Sequence, residues 1–343
     1  MASSQLETFK GLDGYTLEWV DRDFYILSRR NEIFISEKLM PPFRLIGKVP
    51  ASLLISNAAR WRLIQRLTRF FIYNVIVLRD NCFFVTFQKE AGILDHGKYT
   101  PITGFVRPSR FLRGSCAVDS SGGIYLGEYL PNTERGPMRI YRLAPDSTHV
   151  HVVYEFAPST IRHIHGIFFD PFEKAVWCTT GDLEGECSIS RTLDGFKTRE
   201  VLGQGDETWR AVSLVFTADA IWYGMDAEFK QNYLFRLDRK TLQRTQVAKV
   251  DGPVYYSKAI GQHLFFGVTA EGCPSQKQNA AALWYVGPTG SAEEIGRFPK
   301  DRFNNYFMPG TLHFPLGPSR ENKIDFYCLG LKGIDDKSMR FRF

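Results

Sequence analysis

The chain has no stretch of about 18 consecutive apolar residues, so no helix able to cross a bilayer is expected. Its first residues, MASSQLETFKG, lack a basic segment followed by an apolar one, and no secretory leader is read there. The six cysteines (Cys82, Cys116, Cys178, Cys187, Cys273 and Cys328) include no C-x-x-C pair. That excludes the common zinc-ribbon and dithiol motifs. Four of the six fall within strand patterns, where a thiol is a small buried hydrophobe. A reducing, cytoplasmic location is the expectation. Charge of one sign is also in short supply: 43 Lys and Arg against 37 Asp and Glu give a net charge of +6. That balance permits a polyanionic partner without requiring one. No recognition helix, zinc finger or RNA-binding motif accompanies it, so no nucleic acid is expected.

Aromatic and β-branched residues are abundant, with 28 Phe and 15 Tyr in 343 residues. They are concentrated in a hairpin template that recurs seven times. Its second arms are residues 32–37 (EIFISE), 82–87 (CFFVTF), 124–129 (IYLGEY), 175–182 (AVWCTTGD), 221–227 (IWYGMDA), 264–272 (LFFGVTAEG) and 324–331 (IDFYCLGL). Short turn segments precede each, from Arg30-Asn31 to residues 317–323. Strand repeats spaced by roughly 40–50 residues indicate propeller blades. The expected fold is all-β: a seven-bladed β-propeller, with six or eight blades as alternatives, formed by one domain over residues 1–343. The last blade lacks a fourth strand. An N-terminal strand around residues 15–20 is expected to supply it and close the ring. Residues 51–70 break the β pattern. Their apolar positions recur near helical spacing with Arg60, Arg62, Arg66 and Arg69 among them. An inserted amphipathic helix is expected there, either packed on the propeller or touching an anionic membrane surface.

Blade geometry narrows the search for a site. The start of each first strand and the end of each second strand lie on one face of the disc, near the axis. First-strand starts offer Arg113, Arg162, His163, His165, Arg210, Tyr255, Tyr256, Lys258 and His313. Second-strand ends offer Glu90, Glu128, Tyr129, Asp182, Glu184, Asp226, Glu228 and Glu271. Alternation puts His163 and His165 on one strand face, suited to acid–base work. The spacing is only H-x-H, so the expected site contains no metal and needs no cofactor, although a divalent ion stays open as an alternative. Asp182 and Asp226 hold equivalent repeat positions and suit the acid and base of a glycosidase. Tyr129 and Tyr255 are candidate proton donors. Arg113, Arg162, Glu128, Arg210, Tyr256, Lys258 and His313 are candidate contacts to substrate, with Arg210 and Lys258 the preferred pair for an anion.

Residues 192–198 (TLDGFKT) resemble the Asp-box, or bacterial neuraminidase repeat, with Phe196 where a second Gly is usual. The run from His163 to Lys258 is similar to sialidase-like, glycosyl-hydrolase-like propellers. The resemblance implies a carbohydrate context and a structural role for Asp194. Sialidases use an arginine triad, a Tyr–Glu pair and an Asp. Some propeller polysaccharide lyases use His and Tyr, with arginines that neutralise a uronate, and this funnel is closer to their composition. The expected function is cleavage of an acidic oligo- or polysaccharide, by a lyase or a hydrolase. The alternative is a non-catalytic glycan-binding or scaffold propeller in a bacterial polysaccharide biosynthesis system, held at a membrane by residues 51–70.

Overall fold

The computed structural model describes residues 6–343. Seven four-stranded antiparallel sheets make up the molecule. The first six follow chain order: strands Thr16–Val20 to Arg44–Lys48, Ile72–Arg79 to Lys98–Pro101, Ala117–Val118 to Val150–Phe156, His163–Asp170 to Glu200–Gly205, Ala211–Phe216 to Arg244–Val250, and Val254–Ile260 to Ala292–Pro299. These are blades 1 to 6 of a seven-bladed β-propeller. Blade 7 joins Thr311–His313, Lys323–Leu329 and Lys337–Arg342 to the N-terminal strand Leu6–Thr8.

The strand sequences match their layers. Second strands Cys82–Phe87, Ala175–Gly181 and Ala220–Met225 are buried at every residue. Each is covered on both faces by neighbouring blades, so it reads as a largely apolar run, interrupted by the buried Thr86, Thr179 and Thr180, rather than an alternating one. The outer strand Arg44–Lys48 has no fully buried residue. Two glycines in the second strands permit close blade packing. A Cβ at Gly127 would meet Ile164 at 2.5 Å, and one at Gly224 would meet Val254 at 2.3 Å. Any side chain there would push the next blade away.

The ring closes by strand pairing, but not through the segment the sequence singled out. Leu6, Glu7 and Thr8 pair antiparallel with Phe341, Arg340 and Met339. The segment Thr16–Val20, expected to close the ring, is instead the innermost strand of blade 1. The first hairpin is accordingly one strand out of phase. Glu32–Ser36 is a third strand, because Tyr25–Arg29 precedes it as the second. A tight turn joins either strand pair, so turn chemistry alone does not set the phase.

The insertion forms two short helices, Leu53–Ala58 and Arg62–Thr68, rather than one. Trp61, extended at φ −80° and ψ 119°, separates them. In blade 4, Thr192–Thr198 makes the turn between third and fourth strands. Asp194 accepts hydrogen bonds there from the Thr198 amide at 2.9 Å and the Thr198 hydroxyl at 2.8 Å.

Candidate functional site

The polar strand ends of blades 3 to 6 converge on one group around Asp182. Blade 4 contributes three neighbours from its first strand and the residue before it. Arg162 meets Asp182 Oδ2 at 3.0 Å, while the Nε2 atoms of His163 and His165 stand 3.3 and 3.4 Å from Asp182 Oδ1. A register shift between Ile164 and Gly166 lies within this stretch. The other ring nitrogens face backbone: His163 Nδ1 the Leu130 carbonyl at 3.3 Å, and His165 Nδ1 the Ala211 carbonyl at 3.2 Å. Blade 5 adds Arg210, just before its first strand. Arg210 donates to the Asp182 carbonyl at 3.0 Å and to Asp226 Oδ2 at 3.0 Å, and its second guanidinium nitrogen lies 3.4 Å from Asp182 Oδ1. One guanidinium thus joins the two repeat-related aspartates. From blade 3, Tyr129 packs on His163 with ring centroids 4.2 Å apart.

Blade 6 completes the group. The Tyr255 hydroxyl donates to Glu271. Glu271 lies three residues past the end of that blade's second strand, His263–Val268, and the position equivalent to Asp182 and Asp226 is Thr269. The sequence placed Glu271 among the second-strand ends but not among the catalytic candidates.

The electrostatics divide these groups by role. Burial alone would raise the Asp182 carboxyl, but the two histidines facing it outweigh that and hold it well below the usual carboxylate range. Burial lowers the His163 imidazole, with Asp182 acting against it. Burial pushes the Tyr129 phenol up to about 12, helped by Asp182 and Asp226. Burial also raises Glu271 to about 7, assisted by the negative charges of Asp226 and Glu228. Tyr255 is raised well above its ordinary value, first by burial and then by Asp226 and Glu271. The group therefore holds one firmly ionised carboxylate and one poised near neutrality.

Other sequence candidates lie elsewhere. Arg113 is buried against Glu18 and donates to the Ile72 carbonyl at 2.7 Å, so its guanidinium is already engaged. Glu128 is 0% exposed. Its carboxylate accepts from Tyr141 and Arg107, both at 2.7 Å, and serves as an internal anchor of blade 3 rather than a surface for substrate. His313 stacks edge-on with Tyr256 at 4.7 Å and exchanges a hydrogen bond with Thr311 at 2.8 Å. Burial drives its imidazole well below its ordinary value, reinforced by Arg113 and Arg62. Lys258 is not brought beside Arg210. Its ammonium donates to the Pro315 carbonyl at 3.0 Å and to that of Gly317, in the loop between the first two strands of blade 7. Lys258 sits four residues along its strand from Val254, so it meets the far end of the neighbouring blade.

Of the four arginines in the helical insertion, two are tied down. Arg62 makes a double contact with Asp335 at 3.0 Å, and Arg66 is 1% exposed and bonds Asp301 at 2.5 Å. Arg60 is exposed and Arg69 part-buried. A cleft of about 580 Å³ beside the second helix is lined by Arg62, Arg66, Lys300, Asp301, Arg302 and Asp335, among others. None of the residues around Asp182 lines it.

No family model and no curated protein matches the chain. Solved structures do match. An oligogalacturonate lyase in complex with manganese superposes with a TM-score of 0.64 at 9% identity, covering 98% of this chain and 92% of that one. YCF48 bound to D1 peptide gives 0.59 at 11% identity, over 99% and 95%. A chain of a mitotic checkpoint complex gives 0.58 at 8% identity, over 98% and 94%. At these identities the similarity is one of fold, and the fold serves unrelated roles.

Proposed function

We propose that the chain processes an acidic glycan by β-elimination at the group around Asp182. The observation that carries this is the hydrogen-bonded Tyr255–Glu271 pair, with Glu271 near neutrality under the charges of Asp226, Glu228 and Arg210. Arg162 keeps part of its guanidinium accessible and neutralises the uronate carboxylate, which acidifies the adjacent C–H. Glu271 as carboxylate takes that proton, and Tyr255 protonates the leaving glycosidic oxygen. The carbon–oxygen bond breaks as the carbon–carbon double bond forms. Tyr255 then recovers its proton from Glu271 through their hydrogen bond, returning both groups to their starting state. Hydrolysis by Asp182 and Asp226 is disfavoured, because Arg210 engages both and Asp182 stays ionised. The lyase fold match and the Asp-box-like turn at Thr192–Thr198 support the carbohydrate context.

The test is a screen against acidic polysaccharides, read for unsaturated uronate and for new reducing ends. Both signals are expected from the wild type. Glu271→Gln and Tyr255→Phe are each expected to lose on the order of 10²–10⁴-fold in rate. Reducing ends without unsaturation identify hydrolysis instead, and the absence of both overturns the proposal.

A second reading, of a propeller held at an anionic membrane surface, is favoured by the helical insertion. Leu53 is 81% exposed, Leu54 83% and Trp61 72%, with Arg60 exposed beside them. Such a patch suits an interfacial site. Co-sedimentation with phosphatidylglycerol vesicles is expected for the wild type, and to fall at least about tenfold in Leu53→Asp/Leu54→Asp. Equal sedimentation of the two proteins removes this reading.

A further inference from the structure

The two histidines facing Asp182 have too few protons for their neighbours. Each ring meets a backbone carbonyl at Nδ1 and Asp182 Oδ1 at Nε2. A neutral imidazole carries one N–H, so one end of each ring confronts an acceptor with nothing between. His163 Nε2 makes no hydrogen bond at all, and the residue is 5% exposed. Charging both rings would aim two N–H groups at the single Asp182 Oδ1, and His163 Nε2 is not placed to donate there despite the 3.3 Å separation. A single imidazolium would repair only one ring.

A metal ion resolves the conflict without added protons. If both rings donate Nδ1–H to their carbonyls, both Nε2 lone pairs and Asp182 Oδ1 turn toward one point. The three atoms lie within 4.8 Å of one another. Backbone carbonyls at the remote ring nitrogen are the usual second support of a metal-bound histidine. The spacing also fits. With bonds of about 2.0–2.2 Å, ligand atoms of a tetrahedral ion stand about 3.3–3.6 Å apart. The two nitrogen–oxygen separations are 3.3 and 3.4 Å.

We infer that His163, His165 and Asp182 form a site for a first-row divalent cation, zinc by ligand type and spacing, with a fourth position open. Arg162 holds the second oxygen of Asp182 at 3.0 Å, while Oδ1 faces both imidazoles, with the Arg210 guanidinium 3.4 Å to its side. Asp182 and Asp226 balance Arg162 and Arg210, so a bound dication gives the cluster an excess positive charge. The open position then takes water or an anion. The metal site stands on the acceptor geometry alone; only a uronate carboxylate as its fourth ligand rests on the proposed function.

The experiment strips the full chain by dialysis against a chelator and titrates it with zinc chloride by calorimetry. Cobalt(II) serves as the spectroscopic probe. One equivalent is expected, with the visible bands of tetrahedral nitrogen and oxygen ligation. His163→Gln, His165→Gln and Asp182→Asn are each expected to weaken binding by about a hundredfold or more. Glu271→Gln is expected to keep one equivalent while losing glycan cleavage, which separates failure of one proposal from failure of the other. Uptake of no ion by the wild type overturns the inference. So does binding that survives all three substitutions, or a cobalt spectrum with thiolate bands. Should the three variants fail to fold, the wild-type cobalt spectrum alone decides between this site and a cysteine site.

Discussion

Two residues give the site and its surroundings opposite pH signatures. Glu271 rises from an ordinary 4.5 to about 7 in the fold. Between those values the native state holds the extra proton, so stability falls as pH rises through that window. Glu271→Gln is expected to abolish the fall, read by urea unfolding from pH 4.5 to 7.5, and to recover up to roughly 3 kcal/mol at its upper end. Activity runs the other way and is expected to climb through about pH 7 as the carboxylate forms. Lys258 is lowered by burial from 10.5 to about 8. Here the unfolded chain binds the extra proton, so stability rises with pH between those values, and Lys258→Met is expected to remove the rise. Its glycan turnover is expected to stay within about twofold of wild type, because Lys258 serves the Pro315 and Gly317 carbonyls. A large loss of turnover would return Lys258 to the site. Sequence could pair His163 with His165, because strand alternation is a local property. It could not foresee that Arg107 and Tyr141 occupy Glu128, since those partners lie 21 and 13 residues away.

At the scale of elements, the strands were legible and their assignment to layers less so. The apolar second strands stood out because burial on both faces favours hydrophobic residues at successive positions, as in Ala220–Met225. The phase of blade 1 was not legible, because Arg30 and Asn31 make a turn that fits either hairpin. The insertion showed its amphipathic character but not its break at Trp61 or the capture of two arginines by blades 6 and 7. Arg66 is the strongest tie, bonding Asp301 and the Phe307 carbonyl at 2.5 and 2.6 Å. Without Arg66 the Phe307 carbonyl loses its charged donor, while Asp301 keeps Lys300 at 2.5 Å. Arg66→Ala is therefore expected to cost about 1.5–3 kcal/mol by denaturant unfolding. A cost below about 1 kcal/mol would mean that the helices are only loosely attached.

For the whole molecule, closure depends on three residues at one end pairing with a strand at the other. Glu7 also meets Arg342 at 3.0 Å, and Leu6 packs against the core between blades 6 and 7. Deletion of residues 1–9 is expected to lower the thermal midpoint. It also exposes the edge of Lys337–Arg342, so concentration-dependent association is expected by light scattering. An unchanged midpoint and a monomeric deletion variant would show that the ring holds without its closing strand.

The sequence by itself determined the propeller, its seven repeats and the polar strand ends, because period, turn chemistry and aromatic placement are written within each repeat of about 40–50 residues. Only the tertiary structure decided which polar ends gather around Asp182 and which are engaged elsewhere in the fold. That choice depends on partners from other blades: Arg210 reaching back to Asp182, Ala211 supporting His165, Glu18 occupying Arg113. Such contacts arise from the curvature of the closed ring, and no single repeat encodes them.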